Sequence, residues 1–190
     1  MIKTKLDRLL IVDLEATCFN DKTKPTEIIE IGVAPIDLET LDVREDICYA
    51  SLVINKKTHI SDFCTDLTGI TQEMIDKDGK DFSVVCAEIE KYYSKKYPWG
   101  SWGNYDLNKM NIQCSQYGIQ VPFGSTHYNI KNLFSLLTGN RNEFGLEKAL
   151  KQRKMSFKGR QHSALDDAIN SAYVLRDVLI ELGLNKKGKR

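Results

Sequence analysis

The amino-acid sequence predicts an α/β protein with a mixed central β-sheet, in which an antiparallel meander comes first and α-helices flank the sheet. Three observations support this class. Extended apolar segments dominate roughly the first third of the chain, helical patterns dominate the remainder, and two short extended pieces lie between the later helices.

The first three extended segments are Leu9–Ala16, Ile28–Ile36 and Ile47–Ile54. Side chains in the second and third segments alternate as they do in a strand with one apolar face. The connection between the first two segments runs through Asn20–Thr26. Because connections this short usually join antiparallel neighbours, we expect these strands to form the meander.

Helical spacing of apolar residues, together with capping residues, locates the helices. A short helix is predicted to begin near its N-cap Thr71, within a segment otherwise predicted to be a loop. Longer helices are predicted at Phe82–Tyr97, Asp106–Tyr117, Ile130–Thr138, Phe144–Met155 and Ala164–Leu182. Extended pieces at Trp99–Trp102 and around His127–Ile130 complete the predicted sheet.

The composition is that of an ordinary soluble protein: 42% of the residues are hydrophobic, 28% are charged and the net charge is +1. The length suits one domain, which we place at residues 1–184, before a basic C-terminal tail at residues 185–190 that we expect to be flexible. The five cysteines form no CxxC pair, which argues against a disulfide framework or a zinc knuckle. No secretory or membrane-spanning pattern is present, so we expect an intracellular protein without membrane contact, cytoplasmic or, in a eukaryote, nuclear.

Two acids at the end of the first strand give the first indication of function. Because successive side chains of a strand point to opposite faces, Asp13 and Glu15 share one face with Leu9 and Ile11. Two like charges at the end of a buried strand require water, hydrogen bonds or a cation. This motif alone fits a solvated strand end and a metal site about equally well.

Two later features favour the metal site. Asp106 lies at the start of a predicted helix, where an acid often serves only as a cap. His162 precedes another helix, whose first turn contains Asp166 and Asp167. Asp167 falls on the side of the small and apolar stripe expected to face the sheet, whereas Asp166 falls on the side expected to meet water. Asp167 is therefore the better candidate ligand.

Acids from separate segments form the oxygen-rich environment that Mg²⁺ or Mn²⁺ prefers. A pair of such ions can hold a phosphodiester, activate water and stabilise the leaving oxygen. A histidine exchanges protons near neutral pH, so His162 is suited to take a proton from the attacking water.

The order of these acids and the histidine resembles the motif of the DEDDh 3′–5′ exonucleases, which have a ribonuclease H-like fold. The matching positions are Asp13-Leu14-Glu15, Asp106 and His162-x4-Asp167. The strings LLIVDLEATC, EIIEIGVAPID, LTGIT, GNYD and KGRQHSALDDAINSA are similar to the branch that degrades histone mRNA and small RNAs. The resemblance implies two Mg²⁺ or Mn²⁺ ions. It also implies that Asp13 bridges them, that Glu15 and Asp167 complete the hydrolytic site, that Asp106 holds the second ion through water, and that His162 is the general base.

The resemblance also implies residues that contact substrate. The expected cradle for the terminal nucleotide comprises Leu14, Ala16 and Thr17. Leu67, Gly69, Ile70 and Thr71 are expected in a wall for the last base, with core packing an equally good interpretation of Leu67 and Ile70. Trp102 and Asn104 are further candidates for the pocket lining, and the candidates for phosphate contact are Lys56, Lys57, Lys131 and Arg160.

The leading hypothesis is a two-metal 3′–5′ exonuclease that releases nucleoside 5′-monophosphates from single-stranded RNA or a short 3′ overhang. Single-stranded DNA is the alternative substrate, because no residue that reads a 2′-hydroxyl can be named. Two other classes remain: a catalytically silent nucleic-acid-binding domain and a ribonuclease H-type endonuclease. Targeting is expected from a protein partner or from recognition of the bare end, and the sequence does not define the oligomeric state.

Overall fold

The computed structural model describes residues 6–21, 23–93, 97–142 and 144–183. Within these ranges the chain forms five strands and seven α-helices. The strands are β1 (Arg8–Ala16), β2 (Ile28–Asp37), β3 (Tyr49–Leu52), β4 (Trp99–Ser101) and β5 (His127–Asn129). The helices are α1 (Asp62–Thr68), α2 (Gln72–Asp78), α3 (Phe82–Tyr93), α4 (Tyr105–Tyr117), α5 (Ile130–Leu137), α6 (Leu146–Gln152) and α7 (Ala164–Glu181).

The five strands form one mixed sheet in the order β3-β2-β1-β4-β5. Strands β1, β2 and β3 pair antiparallel, whereas β4 pairs parallel with β1 and β5 parallel with β4. The predicted mixed sheet, with the antiparallel meander first, is therefore confirmed.

Strand β1 is buried on both faces because helices cover both sides of the sheet. Leu10 and Val12 pack in a cluster with side chains of α3 and α4. Leu9 and Ile11 pack on the opposite face with Ala168 of α7 and neighbouring small residues. Alternation along β1 places Asp13 and Glu15 on this second face, at the end of the strand nearest the beginning of α7.

A glycine allows the N-terminal end of α7 to approach the sheet closely. Gly32 of β2 pairs with Asp13 of β1. A Cβ atom at Gly32 would lie 2.2 Å from the carbonyl carbon of Ala164, the first residue of α7. The Ala164 N–H donates to the Glu30 carboxylate at 2.8 Å, so β2 also satisfies one of the free donors at the start of this helix.

Several predicted boundaries were wrong. The third strand is shorter than Ile47–Ile54, because Glu45–Ile47 forms a 3₁₀ turn before it. Helix α1 lies in a segment predicted as loop, where the Ser61 side chain caps its start and Gly69 ends it in a left-handed conformation. Helix α6 is shorter than Phe144–Met155. Tyr97, the predicted end of the third helix, lies in a bend outside α3, and only positions 94–96 of that prediction lie outside the described residues, as does the basic tail at 185–190.

All five cysteines are free thiols, as the sequence predicts. In the described part of the chain, no helix combines the length and apolar character needed to cross a membrane.

Candidate active site

A cavity of about 370 Å³ opens where β1 ends against the first turns of α4 and α7. Its lining combines the five residues of the predicted catalytic set with a mostly apolar wall. The lining residues are Asp13, Leu14, Glu15, Ala16, Cys18, Leu67, Trp102, Tyr105, Asp106, Leu146, His162 and Asp167. The fold thus brings together four acids and a histidine from three separate parts of the chain.

The tightest group within this cavity comprises Glu15, His162 and Asp167. One ligand atom of each lies within 4.8 Å of the others. The His162 N–H donates to Asp167 Oδ2 at 2.9 Å, and His162 itself has a left-handed backbone with φ of 60°. A non-glycine residue adopts this conformation at a cost of about 1–2 kcal/mol. The hydrogen bond to Asp167 helps to hold His162 in it.

Asp106 reaches the site from the first turn of α4. It is only 4% exposed, and its Oδ1 accepts the backbone N–H of Leu14 at 3.2 Å. This bond ties α4 to β1 between the two acids of the strand. Asp106 therefore serves more than the capping role that its position alone would suggest.

The acids raise one another's pKa values. Burial, followed by repulsion from Asp106 and other neighbouring carboxylates, raises the pKa of Asp13 well above its ordinary value. Burial and then repulsion from Asp167 raise the pKa of Glu15 to about 8. Burial also raises the pKa values of Asp106 and Asp167 to about 6, although backbone hydrogen bonds oppose the rise in both cases.

This donor set fits divalent cations. Arg160 acts on Glu15 in the opposite direction, but its influence is smaller than burial and smaller than repulsion from three other acids. The buried negative charge therefore exceeds what the nearby positive side chain compensates. Carboxylates in this number are the ligands that Mg²⁺ and Mn²⁺ prefer, so Asp13, Glu15, Asp106 and Asp167 are suited to hold them.

Hydrogen bonds at every second residue join the loop that carries His162 to side chains of α7. Asn170, which is 1% exposed, accepts the Lys158 N–H at 3.0 Å and donates to the Lys158 carbonyl at 2.8 Å. Asp166 accepts the Arg160 N–H at 2.8 Å, and Asp167 accepts the His162 N–H. Three side chains of α7 thus hold the N–H groups at positions 158, 160 and 162.

The expectation that Asp166 simply meets water was wrong. Its carboxylate is half-buried and accepts a backbone N–H, and it packs so closely on Gly159 that a Cβ there would lie 2.3 Å from Asp166 Cγ. The loop before α7 folds back over this side of the helix. Helical spacing alone does not reveal that contact.

The structure places only part of the predicted substrate set on the cavity wall. Leu14, Ala16, Leu67 and Trp102 line it. Thr17 does not, because it is fully buried and its hydroxyl accepts the Glu27 N–H at 2.9 Å and lies 3.0 Å from the Thr58 hydroxyl.

The remaining predicted contacts have other roles, and none of them is among the lining residues. Gly69 is the C-cap of α1 and packs against the Arg160 guanidinium. Ile70 is buried in a cluster with Ile29, Cys64 and Ile75. Thr71 caps α2 by accepting the Met74 N–H. Asn104 accepts a hydrogen bond from the Asn129 side chain at 3.0 Å.

Sequence reasoning missed three lining residues: Cys18, Tyr105 and Leu146. Tyr105 is 57% exposed in the structure. Its position immediately before Asp106 was the feature of the sequence that could have identified it. Trp102, which was predicted to line the pocket, also contacts the core, since its indole N–H donates to the Phe144 carbonyl at 3.0 Å.

Of the four basic residues considered for phosphate contact, Arg160 lies beside the cavity wall. Its guanidinium lies 3.5 Å from the carbonyl oxygen of Leu67, to which it donates. Lys56 instead forms an ion pair with Asp81. The backbone N–H of Lys57 donates to Glu27, and Lys131 lies beside the position that a Cβ of Gly103 would occupy.

Comparison with known proteins adds independent information. A model of the exonuclease family RNase_T matches residues 10–175. Human 3'-5' exoribonuclease 1 is 32% identical over 196 residues, which cover 95% of this chain and 56% of that protein. Human ERI1 exoribonuclease 3 is 28% identical, with 88% of this chain and 52% of that protein covered. The chain thus spans little more than half the length of these relatives.

Two solved structures resemble the whole described fold. The nuclease domain of 3'hExo, described as a DEDDh family member bound to rAMP, matches with a TM-score of 0.81 at 29% identity and covers 95% of this chain and 94% of that one. A structure of histone mRNA stem-loop recognition by 3'-exonuclease matches with a TM-score of 0.82 at 28% identity and covers 96% and 85%. The likeness confirms the predicted ribonuclease H-like fold.

Proposed function

Because the chain belongs to the exonuclease family RNase_T, in agreement with its resemblance to the DEDDh enzymes, we propose that it is a metal-dependent 3′–5′ exonuclease acting on single-stranded RNA. Its products are nucleoside 5′-monophosphates. Metal dependence is typical of this family, and Mg²⁺ or Mn²⁺, as two ions, is the proposed cofactor.

One observation carries the proposal: four acids and a histidine from distant segments line a single cavity. Their burial and mutual repulsion make this arrangement unfavourable unless positive charge enters it. A phosphodiester held by divalent cations is a substrate that makes use of such an arrangement.

The residues divide the work as follows. Asp13, Glu15, Asp106 and Asp167 would hold the divalent ions, which when bound polarise the phosphate and favour deprotonation of water. The His162 imidazole accepts the proton of the attacking water, and Asp167 keeps the His162 backbone in place. The new bond joins the water oxygen to phosphorus, while the bond to the 3′ oxygen of the preceding nucleotide breaks and that oxygen takes up a proton.

The relatives support RNA as the substrate. Two of them are named exoribonucleases, and the solved neighbours include one with rAMP and one that recognises a histone mRNA stem-loop. Single-stranded DNA remains the alternative, since no described residue has been identified as reading the 2′-hydroxyl. We further propose that residues 1–184 act as one catalytic domain and that a protein partner or the bare end directs it to its target.

The decisive experiment follows 5′-labelled single-stranded RNA and DNA of one sequence, with wild-type protein and Asp13→Asn, in Mg²⁺, Mn²⁺ or a chelator. We expect stepwise shortening of the RNA by wild-type protein with either ion, no shortening with the chelator, and none by Asp13→Asn. Activity that persists in the chelator would exclude the metal mechanism. Faster DNA shortening would select the alternative substrate.

A circular RNA distinguishes the other classes. An exonuclease leaves it intact, whereas an endonuclease of the ribonuclease H type cuts it. Binding of linear RNA by wild-type protein without any shortening would indicate a catalytically silent nucleic-acid-binding domain.

A further inference from the structure

A fifth acid, Glu30 of β2, lies beside the acidic cavity without lining it. The antiparallel register of β1 and β2 pairs Glu30 with Glu15. Residues directly opposite one another in such a pair share a face of the sheet, so the Glu30 side chain lies next to Glu15 on the face covered by α7. It is partly buried and is not among the residues that line the cavity. The catalytic roles described above do not use it.

Glu30 supplies the cap that the N-terminus of α7 does not receive from its own segment. Ser163 occupies the N-cap position of α7, but its side chain makes no capping hydrogen bond. Asp166, which stands where a capping box places its acid, accepts the Arg160 N–H instead. The Ala164 N–H donates to Glu30 Oε2 at 2.8 Å. A strand, and not the preceding loop, therefore fixes the start of this helix.

The bond between Ala164 and Glu30 joins the two elements that hold the tightest group of the site. Glu15 lies opposite Glu30 on β1. His162 lies two residues before Ala164, and Asp167 lies three residues after it. The first helical turn carries a displacement of Ala164 to Asp167, and the hydrogen bond from the His162 N–H carries it on to His162. The distance from Glu15 to the other two groups therefore depends on this bond.

The other contact at this point restrains α7 in one direction only. Gly32 lies two residues after Glu30 on the same face of β2, and a Cβ there would lie 2.2 Å from the Ala164 carbonyl carbon. Such a steric contact prevents closer approach but does not prevent sliding or separation. The hydrogen bond from Ala164 to Glu30 opposes both, because its strength falls with distance and with angle.

The charge of Glu30 is unfavourable where it lies. Repulsion from Glu30 contributes to the raised pKa of Glu15, after burial and repulsion from Asp167. Burial raises the pKa of Glu30 itself, and the hydrogen bond from Ala164 opposes the rise. Repulsion from Asp166 and Asp167 raises it further. A neutral side chain with an acceptor oxygen at the same place would make the same bond without this repulsion, so the bond and the charge can be tested separately.

We propose that Glu30 is a positioning residue of the reaction, because its bond to Ala164 places the first turn of α7 against the end of β1. That placement sets the distance from Glu15 to His162 and Asp167. The kinetic consequence rests on the proposed function. Because Glu30 does not line the cavity, loss of its bond should slow the chemical step and leave RNA binding intact.

Two substitutions separate the hydrogen bond from the charge. Glu30→Gln removes the charge and keeps an acceptor oxygen at the same distance from the backbone. Glu30→Asp keeps the charge and withdraws the acceptor by one methylene, so that it no longer reaches Ala164. With single-stranded RNA in saturating Mg²⁺, we expect Glu30→Asp to lower kcat roughly 10–100-fold with KM nearly unchanged, the effect of misplacing reacting groups by about 1 Å. Glu30→Gln should retain the kcat of wild-type protein within about twofold.

Asp81→Ala is the matched control, because it removes the same kind of bond from another helix. Asp81 Oδ1 accepts the Ser83 N–H at 2.9 Å in the first turn of α3, whose residues do not line the cavity. This variant should lower the midpoint of urea denaturation and keep the kcat of wild-type protein. Unchanged kcat in Glu30→Asp, or an equal loss in Asp81→Ala, overturns the inference. An equal loss in Glu30→Gln also overturns it, because the charge would then be the cause.

Two measurements without turnover separate this inference from the proposed function. Hydrogen exchange of the Ala164 amide in metal-free protein should be faster in Glu30→Asp than in wild-type protein and unchanged in Glu30→Gln. Calorimetric Mn²⁺ binding without RNA should be weakened more by Glu30→Asp than by Glu30→Gln. These results support the positioning role even if wild-type protein shortens no RNA, an outcome that rejects the exonuclease proposal alone. Equal amide exchange in all three proteins, or the reverse order of Mn²⁺ affinities, overturns the inference whatever the activity.

Discussion

The acids of the proposed metal site should destabilise the metal-free protein, and Glu15→Gln measures this effect. The pKa of Glu15 is raised from 4.5 to about 8, chiefly by burial and then by repulsion from Asp167. A raised pKa means that the folded state binds more protons than the unfolded chain. The corresponding stability is therefore complete below pH 4.5 and is lost as the pH rises towards about 8.

The magnitude follows from these two values. The raised pKa of Glu15 costs the metal-free fold about 4 kcal/mol at pH 8, where the buried group is partly ionised, and about 1 kcal/mol at pH 5.5, where it takes up a proton on folding. Glutamine has nearly the same shape and no charge. In a chelator, Glu15→Gln should therefore raise the free energy of unfolding above that of wild-type protein by about 4 kcal/mol at pH 8 and by about 1 kcal/mol at pH 5.5.

Urea denaturation at both pH values provides the assay, and Glu27→Gln provides the control. Burial tends to raise the pKa of Glu27, but hydrogen bonds from Thr58, Lys57 and Lys56 outweigh it and lower the pKa. Neutralising this carboxylate should destabilise the fold by about 1–3 kcal/mol at both pH values. With saturating Mg²⁺ the advantage of Glu15→Gln should shrink or reverse, because the ion stabilises the wild-type fold.

The reasoning fails if Glu15→Gln destabilises the chelated protein as Glu27→Gln does. It also fails if the gain is the same at pH 5.5 and pH 8, since the charge of Glu15 would then not be its source.

Four further variants test the roles of other residues. Asp167→Asn should lower kcat on RNA by on the order of 100-fold. Asp166→Asn should lower kcat only a few-fold, because the new amide oxygen still accepts the Arg160 N–H. The opposite order in steady-state kinetics would contradict our assignment of Asp167 as the ligand. His162→Ala should lower kcat by about 100-fold or more with little change in RNA affinity by anisotropy, and equal losses in both would indicate a positioning role. Gly32→Ala should lower the stability by about 1–3 kcal/mol, because its Cβ meets the backbone of Ala164; thermal unfolding indistinguishable from wild-type protein would show that α7 does not depend on this close approach.

Local patterns in the sequence were sufficient for much of the fold. The two-residue period of a strand placed Asp13 and Glu15 on one face, and the Thr71 cap located the start of α2. These inferences succeed because the geometry within one strand or helix depends on neighbours in the chain.

Only the tertiary structure decided which surfaces meet. The loop that folds over α7 buries Asn170 and gives Asp166 a hydrogen-bond partner, although helical spacing placed Asp166 on the side expected to meet water. The Thr17 hydroxyl accepts the Glu27 N–H instead of lining the cavity, and Tyr105 lines the cavity wall. Such contacts join residues far apart in the chain, so their energies depend on the packing of whole elements, and no local period records them. The sequence by itself determined which acids share a face, and the packing of α4 and α7 on β1 determined that they form one site.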